Sequence, residues 1–259
     1  MNGATAPLLE ARGLRLAAGR RVLADRLDLV LERGQVWAVL GPNGSGKTTL
    51  LHTLAGLQAP AAGSVHLGGR PLADWPAPEA ACLRGLLPQA LHDAFGAPVL
   101  DLVLLGRHPH LGRWAWEDDG DRSTARAALA RVDLEGFEER DVLTLSGGER
   151  QRVGIAALLA QDPLLMLLDE PVSHLDLHHQ VTVLEHLSAL ARTQGKAVVL
   201  TIHDLTLAQR FASHALLMGP QGCRQGTVDE VLTEANLAAA FGHRVRRLVI
   251  DGEVIHVPG

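Results

Sequence analysis

The chain is 259 residues long, with 47% hydrophobic and 20% charged residues, so a substantial core can be buried and global disorder is excluded. Its 24 Lys and Arg against 29 Asp and Glu leave a formal net charge of −5, which argues against an autonomous nucleic-acid binder; 3% aromatic content with no tyrosine argues against stacking platforms for single strands. Cys82 and Cys223 lie far apart and in no metal-ligand spacing, so a reducing compartment without a disulfide framework is expected.

In chain order, the first ten residues lack the basic segment and apolar core of a secretory signal. Residues 8–16 read as a strand, 21–23 lead into an alternating strand at 27–31, and 35–40 form a compact apolar strand ending at Gly41. Beyond Gly46 the period turns helical, with Leu50, Leu51, Leu54 and Leu57 on one face. Residues 63–67 and the Gly68-Gly69 turn suggest a hairpin. Helical periods follow at 98–105 and 121–132, separated by a loop composition at 107–121, and again at 146–160. Pro163 stops that helix, 164–168 is a buried strand, 180–193 a helix, and Gly195 turns into a strand at 197–202. Strand and helix alternate at both ends while helices cluster in the middle, which predicts an α/β core with a helical insertion. The longest apolar stretch is broken by Gln161-Asp162-Pro163 and falls short of the ~20 residues that span a bilayer. A cytosolic chain that meets a membrane by holding a partner is the expectation.

Gly41-Pro42-Asn43-Gly44-Ser45-Gly46-Lys47-Thr48 satisfies the G-x-x-x-x-G-K-[ST] pattern after a predicted strand and before a predicted helix, with Thr49 next in line. Glycines let successive backbone N–H groups curl into an anion-binding nest, and the helix N-terminus adds free N–H groups and a positive dipole end. Lys47 can reach the β- and γ-phosphates of a nucleotide, and the Thr48 hydroxyl can ligate Mg²⁺. Later, Leu164-Leu165-Met166-Leu167-Leu168 ends in Asp169 and Glu170. A strand buried on both faces holds Asp169 at its C-terminal edge, where ligands bind in open α/β sheets, so Asp169 is expected to support Mg²⁺. Glu170 has the chemistry to orient and deprotonate a water beside the γ-phosphate; as a bland alternative it caps the next turn.

Leu145-Ser146-Gly147-Gly148-Glu149-Arg150-Gln151-Arg152-Val153 resembles the signature motif of ABC-type ATPases, and Ser146 stands 23 residues before Asp169. Leu87-Pro88-Gln89 resembles that family's Q-loop, Ser173-His174-Leu175-Asp176 its D-loop, and Thr201-Ile202-His203-Asp204 its switch-histidine segment. The resemblance covers essentially the whole chain. It implies an α/β P-loop ATPase core with an antiparallel β subdomain and an inserted helical subdomain, the core at about 1–88 and 162–259 and the insertion at about 89–161. It implies that Ser146, Gly147 and Gly148 grip the γ-phosphate of ATP held by the opposite protomer of a head-to-tail homodimer. Gln89 is then expected at Mg²⁺ and water, Asp176 at the dimer interface, and His203 at the γ-phosphate beside Glu170. Ser146 also suits an ordinary helix N-cap, and capping and phosphate binding use the same geometry. Two departures stand out. Where the family places an adenine-stacking aromatic, the chain reads Leu16-Ala17-Ala18-Gly19-Arg20-Arg21, leaving Arg20 or Arg21 to substitute by a planar contact. Val172 stands where many relatives carry Thr.

Val103-Leu104-Leu105-Gly106-Arg107-His108-Pro109-His110 resembles the segment after the Q-loop in importers of metal chelates, and residues 232–242 with Arg246-Arg247-Leu248 resemble the tail of cobalamin importers. The implied protein is the ATPase subunit of an importer of cobalamin, ferric siderophore or haem. It would work with two transmembrane permease subunits and, indirectly, a periplasmic or extracellular substrate-binding protein, at the cytoplasmic face of the inner membrane. A soluble regulatory ABC ATPase and a P-loop small-molecule kinase are the competing readings, and the kinase leaves 145–153 unexplained. Among the weaker constellations, the thirteen histidines form no convincing tetrahedral set, and Glu117-Asp118-Asp119-Gly120-Asp121 lacks the distal Glu of a Ca²⁺ loop, so it reads as a solvated loop before a helix. Trp75, Trp114 and Trp116 are packing anchors or contact points.

Overall fold

The computed structural model describes residues 7–91, 95–112 and 115–259. Six of the ten N-terminal residues read as free of a secretory signal, 1–6, and Trp114 lie outside the described residues. The chain begins with an antiparallel hairpin, β1 (Leu9–Ala18) and β2 (Arg21–Leu31), followed by β3 (Val36–Leu40) and α1 (Lys47–Leu54). Then come β4 (Ala62–Leu67), β5 (Arg70–Pro71), α2 (Ala77–Leu83) and β6 (Arg84–Leu87). The middle is helical: α3 (Val99–Leu104), α4 (Asp119–Ala130) and α5 (Gly147–Gln161). Next follow β7 (Leu165–Leu168), α6 (Leu177–Gln194), β8 (Ala197–Thr201), α7 (Leu205–Phe211), β9 (His214–Gly219) and β10 (Gly222–Thr227). The chain finishes with α8 (Val228–Val231), α9 (Glu234–Phe241) and the hairpin β11 (Val245–Ile250) and β12 (Glu253–Pro258).

A six-stranded sheet has the order β10-β9-β3-β8-β7-β6, parallel from β9 to β6 with β10 as an antiparallel edge. An antiparallel sheet of order β2-β1-β4-β5 covers one side. The two-residue period of the strands decides which core each side chain enters. Trp37, Val39, Leu165, Leu167 and Val199 point into a cluster with Leu50, Leu51, Leu54 of α1 and the inward residues of β1 and β2. Ala38, Leu40, Met166, Leu168 and Val198 point the other way, into a cluster with Leu100, Val103, Leu129, Val153 and Leu184 of the helices. Every residue of β3, β7 and β8 is buried, as continuous apolar runs in a parallel sheet require. Each fully buried Leu or Val there contributes roughly 1.5–3 kcal/mol of transfer free energy.

The expected loop at 107–121 is shorter than its composition suggests. A 3-10 turn occupies Leu105–His110, because Arg107 donates to Asp121 Oδ1 and to the Ala160 carbonyl, both at 2.8 Å. The acidic run caps α4: Asp118 accepts from the Asp121 N–H at 2.9 Å, and Asp121 returns a bond to the Asp118 N–H at 3.3 Å. Trp75 is a packing anchor, its indole N–H donating to the Leu67 carbonyl at 3.1 Å, while Trp116 is 88% exposed.

Candidate active site

The phosphate loop spans the step from β3 to α1. Gly41 has φ 147°, and a Cβ there would collide with the Met218 carbonyl of β9. Gly46, at φ 108°, is the N-cap of α1, and a Cβ there would stand 2.9 Å from that of Leu23. A side chain at either position would push the loop off its neighbours and close the nest. Lys47 is buried, and its Nζ donates to the Gly41 carbonyl at 3.0 Å and the Pro42 carbonyl at 3.4 Å. Burial pushes the ammonium pKa down, and the Glu170 and Asp169 carboxylates oppose that shift. The cation is thus held on its own loop, facing the two acids.

Those acids leave the end of β7. The Asp169 N–H donates to the Leu87 carbonyl at 2.9 Å, tying the tip of β7 to β6. The Thr201 hydroxyl donates to Asp169 Oδ1 at 2.6 Å and accepts from the Glu170 N–H at 2.7 Å. One buried hydroxyl at the end of β8 therefore fixes both consecutive residues. Glu170 sits at φ 50°, a conformation that costs a non-glycine residue about 1–3 kcal/mol unless its surroundings hold it. Its Oε1 accepts from His203 Nε2 at 2.7 Å. Asp169 Oδ2 is buried and has no hydrogen-bond partner among the described residues. A buried carboxylate oxygen of that kind, with the Thr48 hydroxyl and the Gln89 amide on the neighbouring cleft, is a donor set suited to a hard divalent cation such as Mg²⁺.

A cleft of about 740 Å³ gathers Asn43, Gly44, Gly46, Lys47, Thr48, Thr49, Gln89, Glu170 and His203. Ala18, Arg21 and Leu23 complete its wall. Of the two arginines expected near a base, Arg21 lines the cleft and Arg20 does not. Ala18 lies in the 16–21 segment where a base contact is expected, whereas Leu23 carried no signal, since a branched apolar residue on a hairpin reads as core. Thr201 was legible only as part of the His203 segment. Gly41, Pro42 and Ser45 belong to the loop but not to the lining of this cleft; Pro42 and Ser45 face a neighbouring hollow with Val22 and Gly219.

Ser146, Gly147, Gly148 and Asp176 are not brought to that cleft. Ser146 caps α5 in a reciprocal box: its Oγ accepts from the Glu149 N–H at 3.2 Å, and Glu149 Oε2 accepts from the Ser146 N–H at 2.8 Å. The bond from the Ser146 backbone, then that from its hydroxyl, hold the Glu149 carboxyl below its ordinary pKa. Asp176 caps α6, accepting from the His179 N–H at 3.0 Å and meeting His179 Nδ1 at 2.8 Å; the backbone bond, then the ring, keep its pKa low. A Cβ on Gly148 would lie 3.1 Å from the His174 carbonyl, so the tip of α5 and the 173–176 turn adjoin. The helix tip expected at a second phosphate site thus adjoins the turn expected at a dimer interface, and neither lines the chain's own phosphate cleft.

A parallel sheet with a phosphate loop on its central strand, a carboxylate pair on the next but one, and a second glycine-rich helix tip define a nucleotide-hydrolysing cassette. The family model described as ABC transporter matches residues 24–173, and the chain belongs to that family as an ATP-binding, ATP-hydrolysing subunit. It is 44% identical over 246 residues to the hemin import ATP-binding protein HmuV of Gloeobacter violaceus, covering 91% of this chain and 87% of that one. It is 36% identical over 252 residues to the iron(3+)-hydroxamate import ATP-binding protein FhuC of Bacillus subtilis, covering 96% and 91%. Among solved structures it resembles a chain of a metal-chelate type ABC transporter in an inward-facing conformation, with a TM-score of 0.85, 32% identity and 98% of both chains covered.

Proposed function

We propose that this chain powers a membrane importer of metal chelates, of the hemin or ferric-hydroxamate kind. The reading rests on one geometric observation, the Glu170–His203 hydrogen bond of 2.7 Å in the cleft that also holds Lys47, Thr48 and Gln89. The hemin and iron-hydroxamate relatives support the cargo. In this reading the loop N–H groups of 41–48 and Lys47 hold the triphosphate, with Thr49 at the adjoining phosphate. Thr48, Asp169 and Gln89 would hold Mg²⁺, which would supply neutralisation of the phosphate charge. Glu170 accepts the proton of the attacking water. His203 keeps that carboxylate aimed and contacts the γ-phosphate.

The separation of Ser146 from the cleft supports a composite site. A second copy, turned head to tail, brings Ser146, Gly147 and Gly148 onto the triphosphate, with Asp176 at the junction. ATP then bridges two like protomers, and its hydrolysis removes the bridge. The segment 89–161 acts as the helical subdomain. Its groove of about 260 Å³, lined by Leu87, Pro88, Leu91, Leu102, Leu105 and Val153, suits an apolar helix of a permease subunit at the cytoplasmic membrane face. Residues 92–94 and 113–114 of that segment lie outside the described residues. A substrate-binding protein on the far side of the membrane would deliver the cargo.

The test is reconstitution with a permease of the metal-chelate importer type. ATP-dependent uptake of hemin or a ferric hydroxamate into vesicles is expected. ATP hydrolysis by a chain that never copurifies with a polytopic membrane protein would favour the regulatory ATPase instead.

A further inference from the structure

At the C-terminal end of α1, away from the phosphate loop, lies a cavity of about 460 Å³ between β4, β5, α2 and the start of β6. Its walls are largely apolar, with Val65, Leu72, Trp75 and Ala80 among them. Two of the polar groups there are committed. The Trp75 N–H is spent on the Leu67 carbonyl, and the Thr53 hydroxyl donates to the Thr49 carbonyl at 2.8 Å. Arg84 is different. It is the charged residue of this lining, and no Asp or Glu faces the cavity among the described residues. Its Nε is buried without a hydrogen-bond partner among the described residues. Burial alone lowers its pKa, with no neighbouring acid opposing. Gly56, at φ 72°, keeps the guanidinium uncrowded: a Cβ there would stand 3.2 Å from Arg84 Nη2 and 3.0 Å from Leu72 Cδ2.

A half-buried guanidinium with no acid beside it among the described residues has a donor edge to satisfy, and its planar fork of donors matches a carboxylate. A bare inorganic anion would satisfy the fork but leave the apolar walls against water. We propose that this cavity is a receptor for a carboxylate carried on a compact apolar body, with Arg84 as its anion contact. The carboxylate comes from a free small acid or from an Asp or Glu side chain of a protein seated on this face. Thr53 belongs to the helix that begins with Lys47, and Arg84 to the strand that leads to Gln89. An occupant therefore touches both elements that present the phosphate site.

Phenylacetate is the probe, titrated calorimetrically into the full chain, with neutral phenylacetamide and the R84Q variant as controls. Phenylacetate should bind with a Kd on the order of a millimolar, and removing either charge should weaken binding at least about tenfold. The guanidinium has no acid partner to lose among the described residues, so R84Q should melt at or above the parent temperature; R84K replaces it if R84Q does not fold, with weakened binding expected because the fork is lost. No heat from phenylacetate, or equal binding by R84Q or by the amide, overturns the proposal. Repeating the titration on the permease-bound chain separates the sources: a retained site takes a free acid, and a site blocked there takes a permease side chain. None of these readouts involves ATP turnover, so their failure leaves the transport reading standing.

Discussion

Thr201 shows how much one buried hydroxyl can decide. It bonds Asp169 on one side and the Glu170 N–H on the other, and Glu170 occupies a left-handed conformation that needs such support. T201V should cost about 1–3 kcal/mol in denaturant unfolding, because it leaves a buried acceptor and a buried N–H unpaired, and T201S should recover most of the loss. At Glu170 itself the chemistry should separate from binding. E170Q is expected to hold ATP normally while phosphate release falls at least about 100-fold. Rapid release by E170Q would remove Glu170 from the water-activating role. H203A should lower turnover too, since Glu170 loses its 2.7 Å partner, with ATP affinity measured alongside as the control.

Two helices end in caps that carry both structure and proposed function. Ser146 and Glu149 satisfy each other's N–H groups at the start of α5, and the Asp176 carboxylate accepts from the His179 N–H at the start of α6. S146A should cost about 0.5–2 kcal/mol as a lost cap. If Ser146 also completes the site of a twin chain, ATP turnover should fall far more than that destabilisation explains, measured at a temperature where the variant is folded. The caps also set an acid limit. Glu149 and Asp176 have folded pKa values below their ordinary ones of about 4.3 and 3.9. Their contribution is therefore complete above those ordinary values and is lost as pH falls through the lower folded ones. Helical circular dichroism followed from pH 6 to pH 2 should fray in that acid window, and E149Q should flatten the part due to α5.

At the scale of the whole molecule, the cleft and the Ser146 tip are separate in one chain, so full turnover should require two. E170Q with ATP is expected to migrate as a dimer in light scattering and as a monomer without nucleotide. Wild-type specific activity should rise with protein concentration. A variant lacking Lys47 mixed with one lacking Ser146 should form one complete site per dimer and regain part of the activity absent from each alone. Full specific activity from a demonstrably monomeric chain would refute the shared site.

What was legible in the sequence follows local rules. The glycine pattern of 41–48, the apolar runs of β3, β7 and β8, and the Ser-Gly-Gly tip each depend on residues within a few positions, where backbone sterics and side-chain period act directly. The resemblance built on those motifs placed the chain in its family. The C-terminal strands carried no assignment, because β9 owes its place to pairing with β3, about 180 residues away in the chain. The acidic run at 117–121 looked like solvated loop although its Asp118–Asp121 cap is local; its contact with Arg107 becomes visible only when the elements meet. The cleft wall at Leu23, the hydroxyl bridge at Thr201 and Arg84, whose Nε has no partner among the described residues, were settled by tertiary packing alone. Each depends on what long-range contacts bring near or leave absent, and no local pattern encodes an absence.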